Sequence, residues 1–177
     1  MNDNDKPEPV SKSPFWRFSI KFYGVPGVAP ACIELQDQAG VDVNVLFFLL
    51  WNATERRALN ADDVTKVEDA IRPWREMTVV PLRGIRRALK APPPVMTPEA
   101  AEGFRTRIKS AELEAERLQQ EALYGIAASG ALGRPSPSPV EAAQDSLSSY
   151  QGVIGPFPPG PLATILSAFA GFKPEAA

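Results

Sequence analysis

The sequence predicts an all-α fold, a compact helical bundle of about six to eight helices with a Pro/Gly/Ser-rich linker and a C-terminal docking helix. Three observations predict it. Ser13-Pro14, Thr97-Pro98 and Ser138-Pro139 each set a hydroxyl to accept an orphan backbone N–H, followed by a proline that has no N–H to orphan. Apolar residues recur three and four apart, as in Val64, Val67, Ile71 and Trp74. No stretch of useful length alternates apolar and polar residues at the period of a strand.

The first helix is expected over 14–23, where Phe15, Trp16, Phe18, Ile20 and Phe22 leave little of the circumference polar and predict a largely buried helix. Gly24-Val25-Pro26-Gly27 turns the chain into a second helix over 28–38, with Ala31, Ile33 and Leu35 inward and Gly40 as its stop. Asp42 is a good N-cap for a third helix carrying Val45-Leu46-Phe47-Phe48-Leu49-Leu50-Trp51, apolar all round and so the centre of the core. Asn60 caps a fourth, with Asp62 and Asp63 in the first turn, where carboxylates suit the helix dipole. Pro73 and Pro81 predict a kink, or two helices in succession, ending near Lys90, with Leu82, Ile85 and Leu89 extending the apolar stripe.

After the stiff break Ala91-Pro92-Pro93-Pro94, a helix over 98–124 carries Ala101, Phe104, Ile108, Ala111, Ala115, Leu118 and Ala122, stepping by three and four as a heptad seam does. The seam is rich in alanine, so whatever packs on it comes close: the protein's own helices, a second copy or a partner's helix. Residues 125–137, rich in Gly, Ala, Ser and Pro, read as a linker. A helix over 139–150 follows, opened by the capping-box pair Ser138 and Glu141. A last helix places Leu162, Ile165, Leu166, Phe169 and Phe172 on one face. The organisation expected is a disordered tail over 1–12, a helical domain over 13–124, a flexible linker over 125–137 and a C-terminal helical extension over 138–177.

Composition bounds the setting. With 177 residues, 44% of them hydrophobic, the chain has material for a core without metal or disulfide staples. The N-terminus has no apolar h-region, and the proline-broken, uncharged stretch over 152–172 leaves only about half a bilayer's worth of helix, so neither a secretory signal nor a membrane span is expected. The single cysteine, Cys32, sits among Ala31, Ile33 and Leu35, reads as a buried inert thiol and fits the reducing cytoplasm.

The chemistry is defined by what is missing. No histidine is present, which removes Ser-His-Asp and Cys-His catalysis and histidine metal sites. No phosphate-binding glycine loop occurs, so no cofactor is expected and the reading leans away from an enzyme. Asp62 and Asp63, or Glu68 and Asp69, read as solvent-exposed dipole-complementing acids rather than as an acid–base pair or a magnesium site. Two candidate sites remain. Arg83, Arg86, Arg87 and Lys90 step i, i+3, i+4, i+7 along one helix face opposite Leu82, Ile85 and Leu89, suited to an acidic protein surface or to phosphates, or simply solvated near a helix C-terminus. Polar residues embedded in apolar surroundings form the other: Arg17, Asn44, Trp74, Arg75 and Glu76, as structural cross-braces or as the polar anchors of a small-molecule pocket.

The same residues carry a likeness. Phe15-Trp16-Arg17-Phe18, Cys32-Ile33-Glu34-Leu35-Gln36, Gly40-Val41-Asp42-Val43-Asn44, Leu50-Trp51, Pro73-Trp74-Arg75 and Pro81-Leu82-Arg83, in that order, resemble a bacterial helical family known as domain of unknown function 2390, over about residues 15–124. The resemblance implies an α-helical fold and a bacterial cytoplasmic protein, and no activity; residues 125–177 fall outside it. The leading functional expectation is a non-enzymatic helical protein-interaction module or self-associating protein, from the seam and the basic face. A small-molecule binder or unusual enzyme built on the Trp/Arg/Asn cluster comes second. Nucleic-acid binding through Arg83, Arg86, Arg87 and Lys90 comes third, since the net charge is −2 and no aromatics interleave the basic face.

Overall fold

The computed structural model describes residues 13–173, and the expected tail over 1–12 lies outside the described residues. The helix starts fall where the caps predict them. Ser13 Oγ accepts from Trp16 N–H at 3.2 Å and opens α1, Pro14–Tyr23. Helix α2, Val28–Ala39, closes on Gly40, whose φ of 66° lets its N–H reach back to Gln36. Asp42 Oδ1 accepts from Asn44 N–H (2.8 Å) and Val45 N–H (3.3 Å) to open α3, Val43–Thr54. Asn60 caps α4, Ala61–Trp74, which runs through a π turn, Arg75–Val79, into α5, Val80–Ala88. Thr97 caps α6, Pro98–Ala128; Ser138 and Glu141 open α7, Pro139–Ile154; and α8, Pro159–Gly171, follows a proline-rich corner. Counting α4, the π turn and α5 as one rod, the described residues form an all-α bundle of seven helices. The strand pairing is a two-residue antiparallel bridge, Arg57–Ala58 with Arg134–Pro135.

Helix α3 is the axis of the core: Val45, Leu46, Phe47, Phe48, Leu49 and Leu50 are all buried, as a helix apolar all round must be. Phe15, Phe18 and Phe22 of α1 pack on it from one side, and α7 covers another with Leu147 and Tyr150. Helix α8 docks on its own chain, against α2 and α7. Its Phe169, with Phe172 just beyond, closes an edge-on aromatic cluster around Phe22, at ring distances of 6.3 and 5.4 Å. Among the described residues, no helix is long and apolar enough to cross a membrane.

Several inward faces differ from expectation. Ile20 and Ile33 are about half exposed. Each lies two positions, some 200° of helix, from a buried neighbour (Phe18 and Ala31), so neither pair shares a face. On α6 the buried line is Ala101, Glu112, Ala115, Gln119 and Leu123, while the expected seam's Phe104, Ala111, Leu118 and Ala122 are exposed. The inward face carries polar side chains because buried partners await them. On α5 no residue is fully buried and Ile85 points outward. The stretch read as a linker begins inside α6, and its remainder lies against the bundle as a strap. Leu132 and Ser136 are buried, and the Arg57 guanidinium donates to the carbonyls of Leu132 (3.0 Å) and Gly133 (3.3 Å).

Candidate functional site

Four side chains of α1, Trp16, Ser19, Ile20 and Tyr23, are spaced 0, 3, 4 and 7, and so share one face. That face forms one wall of a cleft of about 680 Å³. Ile33 and Asp37 of α2 line it too, as do Asn44 and Phe47 of α3. The opposite side is formed by Arg75 and Val79 of the π turn, Val80, Arg83 and Arg87 of α5, and Leu113, Glu116 and Gln120 of α6. The π turn is a local consequence of sequence: Pro81 and Pro73 each lack an N–H, and the extra residue is absorbed between them. Val80 N–H reaches Arg75 O instead, and the Thr78 hydroxyl donates to Trp74 O at 2.6 Å. Such one-turn insertions recur at functional sites because they re-aim side chains. Here the turn carries Arg75 inward.

Beneath the cleft lies a buried polar network. Arg75 donates to Asp42 Oδ2 at 3.0 Å and to Glu68 Oε2 at 2.8 Å. Gln119 Nε2 donates to the same Asp42 oxygen at 2.6 Å. The Tyr150 hydroxyl donates to Glu68 Oε1 at 2.7 Å and accepts from Asp42 N–H at 3.1 Å. Burial and the adjacent Glu68 push the Tyr150 hydroxyl well above its ordinary pKa, so it stays a donor. Gln120 Nε2 donates to Asn44 Oδ1 at 2.7 Å. A second network joins α5 to α6. Arg83 reaches Glu112 (3.0 Å) and Glu116 (2.7 Å), and Arg86 also binds Glu112. Burial raises the Glu112 pKa, but hydrogen bonds from Arg86 and Arg83 outweigh it and hold the carboxyl below its ordinary range. At Glu116, on the cleft wall, burial wins over Arg83 and the pKa is raised. Burial also drives the Cys32 thiol up to about 12.

The residues named from sequence divide clearly. Asn44, Arg75, Arg83 and Arg87 line the cleft. Trp74 does not; its indole N–H is fastened to Ala115 O at 2.9 Å, tying the end of α4 to α6. Arg17 is on the exposed side of α1, Glu76 and Lys90 are exposed, and Arg86 is held on Glu112. Arg83 and Arg86 therefore face α6 rather than forming one solvated basic face with Arg87 and Lys90. Arg87 pairs with Asp37 at 2.9 Å. Glu68, read as a solvent-facing acid, is buried, and Asp63 is too. The spacing carried that signal, because Glu68 falls within the stripe of Val64, Val67 and Ile71. Ser19, Tyr23, Glu116 and Gln120 were not singled out, since each looks ordinary in sequence and joins the site only by packing.

Chemically, the cleft combines an apolar wall with polar groups that lack partners. Ile20, Tyr23, Ile33, Val80 and Leu113 are large apolar side chains left exposed at this one place. Among the lining residues, Trp16 Nε1, Ser19 Oγ and Gln120 Oε1 are buried without a hydrogen-bond partner. Buried polar atoms are rarely left so in a finished structure, and a bound molecule or water commonly completes them. No group of three or more acidic or thiol side chains among the described residues could hold a metal ion.

No curated protein and no solved structure matches the chain. A family model described as a protein of unknown function, DUF2390, matches residues 14–123, a span that contains every residue lining the cleft. On that match the chain belongs to the DUF2390 family.

Proposed function

We propose that this domain binds a small organic molecule in the cleft between α1, α2, α5 and α6. The observation that carries the reading is the coincidence, in one concavity of about 680 Å³, of exposed apolar side chains with polar lining residues held in place by their neighbours, Asn44, Arg75 and Arg83. Ligand sites have this make-up: mostly apolar walls with a few fixed polar groups, in a volume of roughly 300–1,000 Å³. The underlying network holds the walls rigid, so little ordering entropy opposes binding. A cytoplasmic setting is part of the proposal, because a lone buried thiol suits a reducing compartment.

The test is a thermal-shift screen of the purified chain against a metabolite collection, with mass spectrometry of whatever co-purifies. A ligand held at a hundred times its Kd stabilises by about 2.7 kcal/mol, worth several degrees in Tm for a chain of this size. Ile33→Trp, which crowds the cleft from an exposed lining position, should abolish the shift. A screen in which no compound moves the transition, with nothing co-purifying, sinks the reading.

A protein-interaction module is the second reading, supported by Val95, Met96 and Phe104, exposed around the start of α6. It expects concentration-dependent sedimentation that Phe104→Glu removes; monomers at every concentration would count against self-association. Nucleic-acid binding draws less support, because Arg83 and Arg86 are already committed to Glu112 and Glu116.

A further inference from the structure

The ion pairs around the cleft leave one carboxylate short of positive charge. Arg75, Arg83 and Arg86 are shared among four acids, Asp42, Glu68, Glu112 and Glu116. Neutral donors supplement two of them, Gln119 at Asp42 and Tyr150 at Glu68. Glu112 takes both Arg83 and Arg86. Glu116 has only its share of Arg83, at 2.7 Å on Oε1, and its other oxygen accepts no hydrogen bond among the described residues. It is also the most accessible of the four: its side chain is 27% exposed on the cleft wall, against 6% or less for the others. Burial, together with repulsion from Glu112 and Asp42, outweighs Arg83 and holds its pKa up. The other exposed carboxylate of the lining, Asp37, is the opposite case: it pairs one to one with Arg87, and that hydrogen bond holds its pKa down.

The surfaces around Glu116 are apolar. Leu113 stands one turn before it on the same face of α6 and is half exposed. Tyr23 lines the cleft from α1, near enough that its phenol pKa, raised first by burial and then by Cys32, is raised further by Glu116. Ile20 and Val80 extend the same wall. An aromatic ring beside a carboxylate suits a cation, which the face of the ring also attracts.

We infer that the cleft takes an organic cation, an amine whose ammonium pairs with Glu116 beside Tyr23 and whose apolar body lies on Ile20, Val80 and Leu113. This rests on the ligand-binding reading above. An anion would meet the same carboxylate with the neighbouring guanidiniums already engaged. Three probes of one shape separate the two claims: phenethylamine, 2-phenylethanol and phenylacetate. Each is titrated into the full chain at pH 8, which favours the ionised carboxylate, and followed by the amide NMR signals of Tyr23, Leu113 and Gln120.

Phenethylamine should move those signals saturably at millimolar concentrations, as fragments of this size bind. It should bind about tenfold more tightly than the alcohol, the worth of one charge-assisted hydrogen bond, and more tightly still than the acid. Added salt should weaken the amine and leave the alcohol unchanged. Glu116→Gln keeps an acceptor for Arg83 and should bring the amine down to the affinity of the alcohol, whereas Asp37→Asn should leave the amine as it is. A preference that Asp37→Asn removes and Glu116→Gln spares would overturn the assignment to Glu116. The alcohol or the acid binding as tightly as the amine overturns the ligand class while leaving the cleft a binding site. Silence with all three probes overturns the class as well, and the metabolite screen then decides the cleft on its own.

Discussion

Arg75 touches two carboxylates at once, and each of those has further work. Asp42 caps α3 through one oxygen and receives Arg75 and Gln119 on the other; Glu68 takes Arg75 on one oxygen and Tyr150 on the other. Burying so much charge yields little net stability, since desolvation offsets most of the attraction, but removing one partner strands the rest. Arg75→Met keeps the apolar stem and removes the guanidinium, leaving two carboxylates of small exposure (6% and 3%) without their cation. We expect a loss of about 3–5 kcal/mol in urea unfolding, with part of it regained by adding Glu68→Gln; an unchanged midpoint would show the network to be ornamental. Cys32 makes the second residue-scale prediction. Its thiol, pushed up to about 12 by burial, should resist iodoacetamide at pH 8 in the folded chain and react at once in urea. At this scale Asn44 and Arg75 were legible, because a polar residue beside an apolar run must find a partner. Tyr150 was not, since its link to Glu68 spans 82 positions and no local pattern marks such a pairing.

Helices α5 and α6 are joined by ions where the sequence suggested oil. Arg83 and Arg86, three apart, meet Glu112 and Glu116, four apart, so each helix offers its partner a single charged face. This contact fixes the rotation of both helices. It turns Ile85 out, and it sets Glu112 rather than Ala111 on the buried line of α6. Five helix starts were legible, because Ser13, Asp42, Asn60, Thr97 and Ser138 each cap with the side chain that sequence assigned them, whereas α6 and α7 run four residues past their expected ends, to Ala128 and Ile154. Helix rotation was less so. Apolar periodicity assumes that the packed face is apolar, and α5 and α6 break that assumption. The ion contact predicts an acid-sensitive stability. Glu112 has a folded pKa below its ordinary 4.5, so it binds its proton more weakly folded than unfolded. Its contribution is complete above that value and fades as pH falls below it. Glu112→Gln should therefore cost about 1–3 kcal/mol at pH 7, with a gap from the wild type that narrows steadily in thermal melts below pH 4.5. A gap of constant size across that range would mean that the glutamate acts by shape and not by charge.

The family span ends at residue 123, yet the folded unit does not. Helix α7 lays Leu147 and Tyr150 on α3 and α4, and α8 brings Ile165 and Phe169 to the same core, with Phe157 between them. Composition suggests a flexible linker over 125–137 leading to a C-terminal helical extension. The segment's small residues serve another end, because a strap passing close to Arg57 and Leu59 has room for little else: at Gly133 an added Cβ would sit 3.3 Å from Leu59. The cleft lies wholly within the family span, so the extension reaches it only through the core and through Tyr150. That arrangement sets the last prediction. Burying five large side chains, at roughly 1.5–3 kcal/mol each, supplies on the order of 10 kcal/mol, comparable to the whole stability of a domain. Ending the chain at residue 137 also strands Glu68 and the Asp42 backbone N–H beside the vacated Tyr150 position. The truncated chain should lose its cooperative thermal transition and its near-ultraviolet circular dichroism, and the full chain should melt in one step. Tyr150→Phe separates the two contributions, since it keeps the ring against Phe157 and removes only the hydroxyl; it should cost about 1–3 kcal/mol and leave the fold intact. A truncated chain that still melted cooperatively would make α7 and α8 an appendage, with the family span folding and holding its cleft alone.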